Sequence, residues 1–184
     1  MTHRLVAEGE RMLFCYIDPG SARAAACGDR MTAQVQGIGV GHRDEQSLLT
    51  LAARPEFDPT AALDLACGYR PLPIDPRIAT AAAMIRAHPA HPNSAAELSA
   101  AVHLSTSRFL RLFSAHAGTS LRRYRLWARM LTVGRAVADG ADLTTAAATA
   151  GFASPSHFSD TFHAMFGLTA STLLTSGTRV VILD

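Results

Sequence analysis

Apolar positions in the C-terminal part of the chain recur at spacings of three and four, and one such stretch occurs twice. Residues 105–118 contain Ser105, Ser107, Phe109, Phe113 and Gly118; 49 residues later stand Ser154, Ser156, Phe158, Phe162 and Gly167. Both copies fit S-x-S-(R/H)-F-x3-F-x4-G without a gap, and two copies are too few for a solenoid, so the pattern reads as a duplicated unit. Phe109, Leu112 and Phe113 at i, i+3 and i+4 form one apolar stripe of a helix. At about 100° per residue the opposite face carries Ser107, Arg111 and Ser114, with Leu110 on its flank. The second copy turns Phe158, Thr161, Phe162 and Met165 inward, and Ser156, Asp160 and His163 outward.

Ser105 is placed to cap the start of the first of these helices and Gly118 to end it in the left-handed conformation. A shorter helix precedes each copy, over residues 95–102 and residues 144–150. Short helix, tight turn and second helix with a small polar outer face is the helix-turn-helix plan, whose second helix enters a DNA major groove. Between the units, residues 121–138 read as one helix, apolar at Leu121, Tyr124, Trp127, Leu131 and Gly134, with Met130 and Val137 alongside. Its length, about 27 Å at ~1.5 Å per residue, together with the width of the units, matches the ~34 Å of one DNA turn. The arrangement predicts a tandem reader, with residues 106–117 and 155–166 in successive major-groove segments.

Upstream the pattern is less regular. Residues 12–17 (MLFCYI) read as a strand stopped by a turn at Asp18-Pro19-Gly20, and residues 21–27 as one or two helical turns. Residues 34–41 (QVQGIGVG) alternate like a strand but contain three glycines. Helices are expected over residues 45–53 and, capped by Asp58 with Pro59 at the first position, over residues 59–66. Pro71, Pro73 and Pro76 mark a linker. Asp75-Pro76 starts a helix with Ile78, Ala82 and Ile85 on one side, ended by Pro89 and Pro92, and Ser94 with Glu97 forms a capping box for the next. The apolar tail at residues 180–183 either frays or adds a strand beside residues 12–17.

Residues from about 75 to 174 resemble the DNA-binding domain of AraC/XylS-type transcription regulators. The resemblance lies in Phe109, Phe113 and Gly118, in Arg129-Met130, and in the run Gly151-Phe152, Ser156-His157-Phe158-Ser159, Phe162, Phe166-Gly167. It implies a mainly α fold with two helix-turn-helix units joined by a long helix, a homeodomain-like tandem, beside a small α+β N-terminal segment. The expected divisions are residues 1–74, 75–176 and a tail at 177–184. In that family the DNA-binding part often follows a cupin-like sensor barrel. Here the preceding region reads as a truncated remnant that packs on the DNA-binding part or pairs two chains as a homodimer. Double-stranded DNA is the implied partner, with RNA polymerase as the protein it would act on. Ala170, Leu173 and Leu174 depart from the family's usual Pro, Tyr and Arg.

Composition sharpens the division. Net charge is +2, yet residues 1–76 carry 7 Arg against 10 Asp and Glu, whereas residues 77–184 carry 10 Arg against 5. A basic C-terminal part favours a polyanion partner. All 17 basic residues are Arg. The absence of an 18-residue apolar run and of a cleavable signal makes the cytoplasm the expected compartment, with no membrane partner. Cys15, Cys27 and Cys67 lack ligand spacing, and Cys15, inside an apolar strand, is expected to be buried rather than reactive. No cofactor, metal site or catalytic residue is expected. His88-x-x-His91 has ligand-like spacing but sits between prolines, and no P-loop, dinucleotide fingerprint, G-x-S-x-G or H-E-x-x-H occurs.

The residues expected at DNA follow from the outer faces. Arg111 lies at the centre of the first, where an arginine can donate two hydrogen bonds to guanine; simple solvation is the plainer alternative. Ser105, Ser107 and Ser114 offer hydroxyls, Arg108 suits phosphate, and Leu110 meets a thymine methyl or packs between units. In the second helix Ser154, Ser156, His157, Ser159, Asp160 and His163 are the counterparts. Asp160 stands opposite Arg111 in the repeat, and an aspartate accepts from cytosine but repels phosphate. Histidines supply charge only when protonated, so the second unit is expected to bind more weakly; His157 serves DNA contact or packing. Arg122, Arg125 and Arg129 form a basic stripe on the long helix, of which Arg122 and Arg125 are assigned to DNA. Arg129 matches a family position that holds the two units together. A member of the fold that has lost DNA affinity and acts as a protein adaptor is the competing reading.

Overall fold

Side chains that bond their own backbone set where the helices begin. The computed structural model describes Cys15, Ile17 and residues 22–35, 38–68, 74–91 and 93–175. In chain order these form α1 (Ala22–Gly28), β1 (Met31–Val35), β2 (Ile38–His42), α2 (Glu45–Ala52), α3 (Pro59–Cys67), α4 (Pro76–Ala87), α5 (Ala95–Ala101), α6 (Thr106–Ala117), α7 (Leu121–Ala138), α8 (Leu143–Thr149), α9 (Pro155–Phe166) and α10 (Ala170–Thr175). Each of α3 to α9 starts behind an Asp or Ser whose side chain accepts from a backbone N–H of the first turn, which satisfies donors that a helix leaves open. The expected box is complete: Glu97 N–H donates to Ser94 Oγ at 3.0 Å, and Ser94 N–H donates to Glu97 Oε2 at 2.6 Å. Gly118 and Gly167 end α6 and α9 at φ 60° and 74°.

Three carboxylates in these caps have depressed pKa values. Asp75 is lowered to about 2, chiefly by side-chain hydrogen bonds from Arg77. Backbone and side-chain hydrogen bonds from Ser94 lower Glu97, and bonds from Thr145 lower Asp142. A carboxylate with a depressed folded-state pKa stabilises the fold above its unfolded value and ceases to do so as pH falls through the folded one. Stability should therefore fall between about pH 4 and pH 2, and Asp75→Asn should flatten that part of the curve. Denaturant midpoints measured in half-unit steps of pH check this; equal slopes in both proteins would refute it.

The helices enclose two cores. Ile78, Ala81 and Ile85 of α4, Leu98 of α5, and Phe109, Phe113 and Ala117 of α6 pack with Leu121, Tyr124 and Ala128 of α7. Met130 and Val133 of the same helix pack with Ala146, Ala147, Ala150, Phe152, Phe158, Phe166 and Ala170. Here α7 departs from the single stripe expected of it. Leu131 and Trp127 are half-buried, while Ala128 and Val133 are buried. Its two halves bury different faces because each half serves a different core. In α9, likewise, Phe158 and Phe166 are buried, whereas Thr161, Phe162 and Met165 are half-buried.

The N-terminal segment is a small α+β unit in which α1 and α2 both pack on α3. Residues 34–41 do not make one strand: Val35 pairs with Ile38 and Met31 with His42, so the run divides into an antiparallel hairpin. The glycines explain the division. A Cβ on Gly39 would lie 2.7 Å from Met31 Cγ, and Gly41 has φ +67°, a conformation that side chains disfavour. The His42 ring anchors the hairpin: Asp44 N–H donates to Nδ1 at 3.0 Å, which leaves Nε2 to donate to the Ala66 carbonyl at 2.8 Å. The strand expected over residues 12–17 lies largely outside the described residues. Of these, Cys15 and Ile17 belong to no helix or strand, and Cys15 is exposed rather than buried. The turn at residues 18–20 and the tail at residues 180–183 also lie outside them.

Candidate nucleic-acid interface

The phenylalanines that hold α6 and α9 inward determine which residues they present outward. Phe109 and Phe113 have no exposed surface; their rings lie 5.6 Å apart, and Phe113 meets Tyr124 edge-on at 5.2 Å. Tyr124 keeps its hydroxyl paired, accepting from Arg86 Nη1 at 2.6 Å. With that stripe buried, Ser107, Arg108, Arg111 and Ser114 are exposed, and Leu110 is 39% exposed. In α9 a chain of rings, Phe152, Phe158, Phe162 and Phe166, with successive centroids 5.3, 5.7 and 4.5 Å apart, leaves Ser156, Ser159, Asp160 and His163 exposed. Ser105 and Ser154 are exposed caps: their Oγ atoms accept from Arg108 N–H at 3.4 Å and from His157 N–H at 3.1 Å. His157 is exposed but rests its ring edge-on against Phe152 at 5.6 Å.

The two outer faces differ in charge. Helix α6 carries Arg108 and Arg111 and no acid; α9 carries Asp160 and neither Lys nor Arg. Among the described residues no ion pair engages Arg108, Arg111, Arg122 or Arg123, and all four are exposed. The stripe expected along α7 is shorter than its spacing implied. Arg122 is exposed, but Arg125 is half-buried and its Nη2 donates to the Asn93 carbonyl. Burial, and then the neighbouring charge of Arg129, pull the Arg125 pKa below the usual guanidinium range. Arg125 Nε is buried without a hydrogen-bond partner. Arg129 donates from Nε to the Pro89 carbonyl at 3.1 Å and lies 5.9 Å from the Phe152 ring centroid, within cation–π range.

The repeat is regular in the long helices and shifted in the turns. Leu104 N–H donates to the Ser99 carbonyl and Phe152 N–H to the Ala147 carbonyl, an offset of 48, whereas the caps Ser105 and Ser154 are offset by 49. Ala153 is the extra residue. His103 and Gly151 then occupy equivalent left-handed positions, at φ 55° and 84°. Sequence spacing gave Pro89 only as a helix stop and assigned no part to Ala90 or Asn93. Their contacts come from residues 32 to 61 positions away, and no local pattern marks them.

Among the described residues no cluster of three or more His, Cys, Asp or Glu is arranged to hold a metal. None of their helices is long and apolar enough to cross a membrane. Residues 98–176 match the family model of a helix-turn-helix domain, of the AraC type. That family comprises DNA-binding regulators rather than enzymes. Comparison with curated proteins and with solved structures gave no match. Over residues 98–176 the chain is thus similar to an AraC-type helix-turn-helix domain, and DNA-binding transcription regulation is the role to which such a domain points.

Proposed function

We propose that residues 75–176 read duplex DNA as a sequence-specific transcription regulator, with α6 and α9 in successive major-groove segments. The observation that carries this reading is the pair of polar outer faces backed by two separate cores on one helix. The 18 residues of α7 span about 27 Å at ~1.5 Å each, which together with the width of the units approaches the ~34 Å of one DNA turn. Arg111 supplies base discrimination. Arg108, Arg122 and Arg123 bind phosphates, and the serines add hydroxyl contacts. Asp160 makes α9 the weaker reader. Its exposure also favours a second reading, in which α9 meets a partner protein such as RNA polymerase and α6 alone holds DNA. We propose that the N-terminal segment packs on the DNA-binding part or pairs two chains as a homodimer.

Binding to duplexes selected from a random pool tests the first reading. Three arginines on phosphates correspond to roughly a fortyfold loss of affinity between 50 and 200 mM salt. Asp160→Asn should tighten binding about threefold at the lower salt, because one fewer negative charge faces the phosphates. A protein that selects no sequence, with affinity indifferent to salt, would overturn the reading. Tighter binding to DNA half-sites for α6 alone, unaffected by Asp160→Asn, would favour the second.

A further inference from the structure

We infer that the loop joining α4 to α5 locks the two helix-turn-helix units into one rigid body, with Gly151 as the positioning residue. The inference rests on the DNA-reading role proposed above where it concerns half-site spacing; the lock itself rests on contacts alone. Three residues distant in sequence converge on this loop. A Cβ added to Gly151 would lie 2.7 Å from Ala90 Cα, 3.0 Å from its Cβ and 3.2 Å from its carbonyl oxygen. Those neighbours are mostly backbone, so no rotamer change relieves the clash. From α7, Arg129 donates to the Pro89 carbonyl and Arg125 to the Asn93 carbonyl. The loop is itself braced, His91 N–H donating to the His88 carbonyl and Asn93 N–H to the His91 carbonyl.

The seating of Gly151 on Ala90 joins parts that otherwise belong to different cores, and the two arginines brace the loop from α7. Pro89 to Asn93 connect α4 and α5, both packed in the first core. Gly151 adjoins Phe152, a member of the second. A shared helix alone would let the second unit twist as α7 flexes. The loop supplies an attachment off the helix axis, and it is this off-axis attachment that prevents twisting. One extra base pair between half-sites displaces the second by about 3.4 Å and roughly 35°, so a locked pair of readers accepts one spacing and rejects its neighbours.

Two measurements on the full chain test this. In the first, without DNA, 15N relaxation reports tumbling of residues around α6 and around α9. Wild type should give one correlation time for both units, and Gly151→Ala should give two. In the second, a duplex carrying the selected site is varied by one and two base pairs between the halves. Wild type should lose at least tenfold in affinity per inserted pair; Gly151→Ala should lose less than threefold, with binding to the α6 half-site alone unchanged. Should Gly151→Ala not fold, Arg129→Met, which removes an anchor without adding a clash, should shift both readouts in the same direction. Separate tumbling of the wild-type units, or a folded Gly151→Ala with wild-type tumbling and spacing, would overturn the lock. Single-body tumbling in a protein that selects no DNA would uphold the lock and sink the DNA-reading role.

Discussion

Phe113→Ala should destabilise the protein by about 3–5 kcal/mol, the range for emptying a fully packed aromatic site. Phe113 has no exposed surface, and its ring is held between Phe109 at 5.6 Å and Tyr124 at 5.2 Å. Neighbours fixed by their own helices cannot collapse into the space, so the cavity penalty adds to the lost transfer energy. Such a loss is a large fraction of the roughly 5–15 kcal/mol that holds a domain together. Three residues earlier on the same helix, Leu110 is 39% exposed, and Leu110→Ala should change stability by less than about 0.5 kcal/mol. Urea unfolding of both variants checks the contrast. A Phe113→Ala loss under about 1 kcal/mol would mean that this face of α6 is not packed as described.

Arg111→Ala should weaken binding to the selected site by about 1–3 kcal/mol, roughly five- to 150-fold, while scarcely altering affinity for random duplex. The guanidinium is exposed, makes no ion pair among the described residues, and stands at the centre of the face opposite the buried phenylalanines. On the proposed DNA-reading role it would enter the groove without first breaking an ion pair in the protein. Arg122→Ala, at the start of α7, should instead weaken binding to all sequences alike and lower the salt slope by about one. Competition titrations with selected and scrambled duplexes separate the two. Equal losses on both duplexes for Arg111→Ala would reassign it to the phosphates.

The parts of this protein that were legible in the chain are those whose cause lies within a few residues. Each cap bonds a backbone N–H two or three positions on, so Ser94-x-x-Glu97 or Asp58-Pro59 announces a helix start by itself. The phenylalanines of α6 and α9 sit at helical spacing, and their burial fixes the outward set by rotation alone. Arg125 shows the limit. Helical spacing puts it on a stripe with Arg122, but the Asn93 carbonyl, 32 residues earlier, draws it in and leaves Arg122 outside. Residues 34–41 show another limit: alternation was visible, but the reversal that pairs Val35 with Ile38 depends on how closely Gly39 approaches Met31.

What the chain determined unaided was the pair of repeated units, their caps and the polar faces that they turn outward, because helix periodicity and side-chain-to-backbone bonds are short-range. What tertiary structure alone decided was the division of α7 between two cores, the withdrawal of Arg125 and Arg129 to loop carbonyls, and the seating of Gly151 on Ala90. Each of these depends on groups far apart in sequence, and a burial face or a hydrogen-bond partner exists only once the elements that supply it have met.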